Sequence, residues 1–247
     1  MQQKQFEELK KIPHFIRYPQ MIPFIGTDYD KTRLLILGES NYLPPKDSWR
    51  VSKWYDSSVR EWLSEEFNVD KSEIFKNENQ WIGWTYTVGV VQGRTHRIYK
   101  DLEVALRSSG CAEFDSGLYA SAYMNFFQRP AEQLGKSIQN TPQDNGYAAK
   151  VLNQVCDILH PSKIYFASVL AYKGLEQFVN DNHLTYEKGP SGYENVWRIK
   201  NMFNNAFIGH GAHPASQWWN RRVKGYSKPS GQRSITGKDS LRCFAQI

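Results

Sequence analysis

What this sequence has little of narrows it first. It holds three cysteines, Cys111, Cys156 and Cys243, far apart and without any CxxC spacing. An odd, scattered set argues against a disulfide framework, leaves too few thiols for a four-cysteine metal centre, and fits a reducing compartment. They read as buried or inert thiols. No stretch reaches the roughly 18 to 20 apolar residues that a membrane-spanning helix needs. The opening residues, MQQKQFEELKKIPHF, are charged and lack an apolar signal core, which leads us to expect a cytoplasmic location. Internal repeats and low-complexity blocks are also missing.

What is present is an ordinary globular balance. Hydrophobic residues make up 40% of the 247 positions and charged residues 23%, enough for one large domain with a real core. We expect a single domain over 1–247, with 1–30 as a lead-in and 217–247 as a basic C-terminal segment. Aromatics, at 14%, suit both a core and stacking surfaces. The net charge of +6 is localised. From residue 217 onward stand Arg221, Arg222, Lys224, Lys228, Arg233, Lys238 and Arg242, opposed only by Asp239, so this segment carries the whole excess. Such a stretch is a phosphate-binding footprint or, in the plainer reading, a solvated tail.

Short apolar runs alternate with amphipathic patterns. A short helix is expected near Phe6–Lys11, before Pro13, Pro19 and Pro23 break regular structure. Arg33–Leu37 reads as a buried strand, ending at Gly38. Ser57 and Ser58 would cap a helix through Phe67, with Val59, Trp62, Leu63 and Phe67 on one face. Ile82–Val91 is ambiguous between strand and helix. Thr95–Ser108 reads as a helix, Ala120–Phe127 as a strand, Asp144–Leu159 as a helix and Lys163–Ala167 as a strand. Ala171–Val179 is a further helix, Asn195–Ile199 an edge strand and Ala206–Gly209 a last strand. The alternation predicts a parallel sheet covered on both faces. Ligands in such sheets bind at the carboxyl ends of the strands. Four clusters then fall on one edge: Gly38–Tyr42, Asn125–Gln128, Ser168, and His210–Ser216.

In order and character these clusters resemble the motifs of the uracil-DNA glycosylase superfamily. Its first motif, of the type G-x-x-P-G or GQDPY, directly follows the first strand; here LLILGESNY ends at Tyr42. A strand ending in Asn follows, here AYMNFF with Asn125. A strand matched by Lys163–Ser168 comes next. The family closes on an HPS-type motif, matched by GHGAHPAS with His213 and Pro214. The resemblance spans about residues 33–220. It implies a three-layer α/β/α fold around a mainly parallel four-stranded sheet. It also implies a nucleic acid, DNA before RNA, as partner, excision of a damaged or deaminated base, and no cofactor.

The chemistry can also be read from the residues. Base excision needs a flipped nucleotide held in a pocket. It needs a side-chain amide to read the base edge, which Asn125 offers as donor and acceptor. An aromatic wall would come from Tyr42 or Phe126, with Gly38 beside them. A hydrogen-bond donor must meet the charge building on the leaving base, and His213 is the candidate. The resemblance assigns the Asn, Tyr and His roles to Asn125, Tyr42 and His213. The sequence departs from the family at Ser40, where efficient members have a water-positioning Asp or Asn; a one-residue shift would give that role to Glu39 or Asn41. The Ser of the last motif is replaced by Ala215 or displaced to Ser216. Trp218, Trp219, Arg221 and Arg222 then form an apolar wedge beside basic residues, suited to duplex insertion and phosphate contact.

Plainer readings stand beside each. Gly38 can mark a tight turn, Asn125 a cap, and the two tryptophans core packing. His210 and His213 form an HxxH pair without a third ligand, so no metal is expected. Two other functions compete. One is a nucleic-acid or nucleotide binder without catalysis. The other is an SGNH-like esterase with Ser40 as nucleophile and His213 as its base, which requires those two within hydrogen-bond reach and a carboxylate behind.

Overall fold

The order of strands in the central sheet places every predicted cluster. The computed structural model describes residues 2–42, 63, 97–109, 117–132 and 136–247. The expected helix from Ser57 to Phe67, apart from Leu63, and the ambiguous stretch Ile82–Val91 lie outside the described residues, as does Cys111. Leu63 itself is helical and buried.

Four parallel strands form the centre: β2 (Leu34–Gly38), β4 (Ser121–Asn125), β6 (Lys163–Phe166) and β10 (Phe207–His210). They lie in the order β4-β2-β6-β10, with Leu37 level with Met124 and Phe166, and His210 level with Phe166. Three antiparallel strands widen the sheet. β1 (Phe24–Ile25) pairs with β4, while β9 (Trp197–Ile199) pairs with β10 and β7 (Tyr186–Lys188) with β9. The expected four-stranded sheet is therefore corrected to seven strands. The three additions are two or three residues long, too short to show a period in sequence. The stretch expected as an edge strand is β9, one place in from the edge; β7, exposed along its length, is the edge.

Side chains alternate across this sheet, as the two-residue period of a strand requires. Leu35, Leu37, Met124, Ile164, Phe166 and Ile208 join one core cluster. Leu34, Ile36, Tyr123, Tyr165 and Ala167 join the other. Helices α5 (Pro142–Leu159) and α6 (Val169–Asp181) cover the first face, together with α1 (Gln2–Leu9), which packs on α5. Helices α4 (Arg97–Arg107) and α7 (Gly237–Ala245) cover the second and pack on each other. Burial on both faces explains the continuous apolar runs. The lead-in is part of this core, since Leu9, Ile12, Phe15, Tyr18 and Met21 are buried in it. Two one-turn helices, α2 (Pro13–Arg17) and α3 (Tyr29–Thr32), carry the chain to β2. Arg33, expected in that strand, instead takes a left-handed φ of 49° and closes α3.

Local chemistry fixes the helix starts. Thr141 caps α5 through a reciprocal pair with Asp144, and Pro142 supplies the first-turn proline. Asp144 also takes two hydrogen bonds from the buried Arg129, at 2.7 and 3.1 Å, which ties the loop after β4 to the head of α5. Thr236 caps α7. The basic segment folds as well: its strand β11 (Lys228–Pro229) pairs with β8 (Tyr193–Glu194), and Lys228 is buried against the Glu194 carboxylate. No helix among the described residues is long and apolar enough to cross a membrane.

Candidate functional site

The chain leaves β2 towards β4 and leaves β6 towards β10, its outer neighbours on opposite sides. Adjacent strands whose connections diverge leave a crevice at their carboxyl ends. Gly38, Glu39, Ser40 and Asn41 follow β2 at this edge. Ala167 and Ser168 follow β6, with Asn125 and His210 at the ends of the flanking strands.

Ser168 is the N-cap of α6: its hydroxyl accepts from the Ala171 N–H at 3.3 Å. The same hydroxyl donates to Glu39 Oε2 at 2.9 Å, which fixes the half-buried carboxylate over the crevice. His213 follows β10 in the turn after it. Burial lowers the pKa of its imidazole, and the Glu39 charge acts in the other direction. His213 is therefore neutral at pH 7. Its Nδ1 accepts from the Ala215 N–H at 3.2 Å, so the proton sits on Nε2 as a donor. The Ser216 N–H closes the turn onto the His213 carbonyl at 2.9 Å. The Ser216 hydroxyl is buried and has no partner among the described residues.

On the other side of β2, the Asn125 amide is held by two neighbours. Its Nδ2 donates to Asn41 Oδ1 at 2.7 Å, and its Oδ1 accepts from the Tyr123 hydroxyl at 3.2 Å. Among the described residues nothing engages the second N–H and the second lone pair of the Asn125 amide. Gly38 makes this possible, because a Cβ there would overlap both the Tyr123 hydroxyl and the Asn125 carbonyl oxygen. The Asn125 and Phe126 carbonyls each accept from Gln128 Nε2 at 2.8 Å.

His210 stacks face to face on Tyr172, with centroids 3.7 Å apart and planes 13° apart. Burial lowers its pKa to about 4, against an opposing hydrogen bond to the Gly225 backbone. Among the described residues no cluster of three His, Cys, Asp or Glu side chains could hold a metal ion.

The structure sorts the remaining candidates. Ser40 is buried and its hydroxyl has no partner among the described residues, so it is not paired with His213 as an esterase requires. Phe126 is fully buried, its ring edge-on to Phe127 and Phe166 at 5.1 and 5.4 Å, and so is taken up by the core. Tyr42, in β3 (Asn41–Tyr42), pairs through its backbone with Ala131 in β5 (Pro130–Ala131), while its side chain lies outside the described residues. The two tryptophans separate: Trp219 is buried against Gly237, whereas Trp218 is exposed with the Arg221 guanidinium 5.6 Å from its ring centroid. Arg221 and Arg222 are exposed.

Two contributors are absent from the sequence reading. Tyr123 holds Asn125, and only its place two residues earlier on the same strand could have suggested it. Tyr172 supports His210, and stands one turn after the Ser168 cap. Compared with known proteins, the chain matches no family model, and no curated protein matches it.

Proposed function

We propose that this protein acts on nucleic acid as an N-glycosyl hydrolase resembling uracil-DNA glycosylases, releasing a deaminated or damaged base. The observation that carries the reading is the Glu39 carboxylate held by Ser168 at the crevice, where its charge acts on the His213 imidazole, with the Asn125 amide on the adjoining strand end.

Glu39 is the best-placed group to receive a proton. Ser40 is buried without a base, and Asn41 is engaged by Asn125. In the proposed step, water attacks the anomeric carbon and the carbon–nitrogen bond to the base breaks. Glu39 takes the water proton, and the electron pair leaves on the base. The Nε2–H of neutral His213 donates to the charge that develops there. A neutral donor suits this role, because it stabilises the anion without needing a proton at low pH. The free N–H and lone pair of Asn125 read the base edge, and the exposed Trp218 supplies the wedge as the nucleotide turns out. We place the activity in the cytoplasm, where the unpaired thiols of Cys156 and Cys243 would persist.

The test is base release from single- and double-stranded oligonucleotides containing uracil, hypoxanthine or xanthine. An Asn125→Ala, His213→Ala double variant serves as the comparison. Release by the wild type that the double variant abolishes supports the reading. Salt-sensitive binding without release from any substrate replaces it with a binder.

A further inference from the structure

Three arginines from separate parts of the chain meet in a cleft of about 510 Å³ on the flank of the molecule. Arg222 comes from the stretch after Trp219, Arg233 from the loop before α7, and Arg242 from α7 itself. Among the described residues Arg222 and Arg233 have no ion-pair partner, and both are exposed. Arg242 is held in place: its Nε donates to Ser108 Oγ at 2.7 Å and its Nη1 to Asp239 Oδ1 at 3.1 Å. That leaves three of its five N–H donors unused. Among the described residues Asp239 is the only carboxylate lining the cleft, and it is already engaged by Arg242 and by the Thr236 hydroxyl. The lining therefore keeps two uncompensated positive charges.

The arginines stand on braced backbone. Val223 and Ile235 exchange two backbone hydrogen bonds, at 2.9 and 3.0 Å, which pins Arg222 and Arg233 to one turn of chain. The Arg242 guanidinium, held by Ser108 and Asp239, loses little freedom when it meets an anion, and the planar fork of all three arginines suits phosphate oxygens.

Helix α7, which carries Asp239 and Arg242 of the lining, starts beside the His213 turn. Gly237, the first residue of α7, packs against Ala212 and Trp219 on either side of the His213 turn. From there α7 runs down the sheet to Ala245, whose carbonyl accepts from Lys163 at the start of β6. The lining residues Asp239 to Gln246 cover about 10 Å of helix at about 1.5 Å per residue.

We propose that this cleft is a phosphate-binding site that grips the sugar–phosphate strand on one side of the nucleotide held at the crevice. The nature of the polymer rests on the functional reading above; phosphate recognition rests on the three arginines.

The experiment measures binding of a labelled single-stranded oligonucleotide without any excisable base, across a salt series. It compares wild type, an Arg222→Ala, Arg233→Ala double variant, and Lys200→Ala, which removes an exposed charge elsewhere. Losing two phosphate contacts lowers the log–log salt slope by about 1.4, so between about 50 and 200 mM salt the wild type loses about sevenfold more affinity than the double variant. Lys200→Ala keeps the wild-type slope. Tripolyphosphate is the second probe. If the double variant binds the oligonucleotide like wild type but binds tripolyphosphate about tenfold more weakly, the site takes free phosphates and the polymer assignment is overturned. Unchanged binding of both probes, or an equal loss in Lys200→Ala, overturns the site altogether. A reduced slope in a protein that releases no base would retain the cleft and sink only the hydrolase.

Discussion

The Ser168 hydroxyl donates to the Glu39 carboxylate at 2.9 Å while accepting from the backbone of its own helix, so one side chain both starts α6 and aims Glu39. These residues are 129 positions apart and come from adjacent strand ends. Ser168→Ala removes both functions. Loss of the cap is expected to cost about 1 kcal/mol in urea unfolding. The rate of base release should fall further than this small destabilisation explains, because Glu39 is no longer held. Unchanged unfolding midpoint and rate together would show that Ser168 does neither.

Gly38 is needed for space rather than for backbone freedom. In Gly38→Ala, the added methyl meets the Tyr123 hydroxyl and the Asn125 carbonyl oxygen. Crowding of this kind costs about 1–3 kcal/mol and should displace Asn125 from the crevice. Removing the hydroxyl in Gly38→Ala, Tyr123→Phe should recover part of the stability. A Tyr123→Phe addition that recovers nothing would place the strain elsewhere.

Much of this arrangement was legible in the sequence. The parallel strands announce themselves because burial on both faces makes them continuous apolar runs, and the small and polar residues after each run mark the carboxyl edge. The edge strands are silent: β7 is exposed throughout, and β1 is two residues long amid prolines. Those prolines also masked the lead-in, whose Phe15, Tyr18 and Met21 are core residues. Charge counting could not reveal that Lys228 is buried against Glu194, 34 positions away, because that partner depends on the fold; the Arg242–Asp239 pair, three residues apart on one helix, was within reach of spacing alone. The adjacent Trp218 and Trp219 are alike in sequence, yet one is exposed and the other buried. The Glu39–Ser168 contact is a meeting of two loops, which no local pattern encodes.

His210 gives the protein a defined sensitivity to acid. Its folded pKa is about 4, below the usual 6.5, because burial disfavours the charged ring. The unfolded chain therefore takes up a proton that the fold refuses. The associated stability is present above pH 6.5 and is lost as pH falls from 6.5 towards 4, by up to about 3 kcal/mol. His210→Phe keeps a ring against Tyr172 but cannot titrate, so its unfolding free energy should lose less over this window. Equal acid sensitivity in the two proteins would assign the effect to other groups, and His213, also depressed by burial, is the next to replace.

If Glu39 is the base in an excision reaction, single-turnover release of uracil, hypoxanthine or xanthine separates the wild type from Glu39→Gln. Glutamine preserves the shape and can still accept from Ser168, but it cannot take a proton. The wild type should release base, and the variant should be slower by about 10²–10⁴-fold with oligonucleotide affinity retained. Equal rates in the two proteins, or no release by the wild type from any of these substrates, would contradict that role.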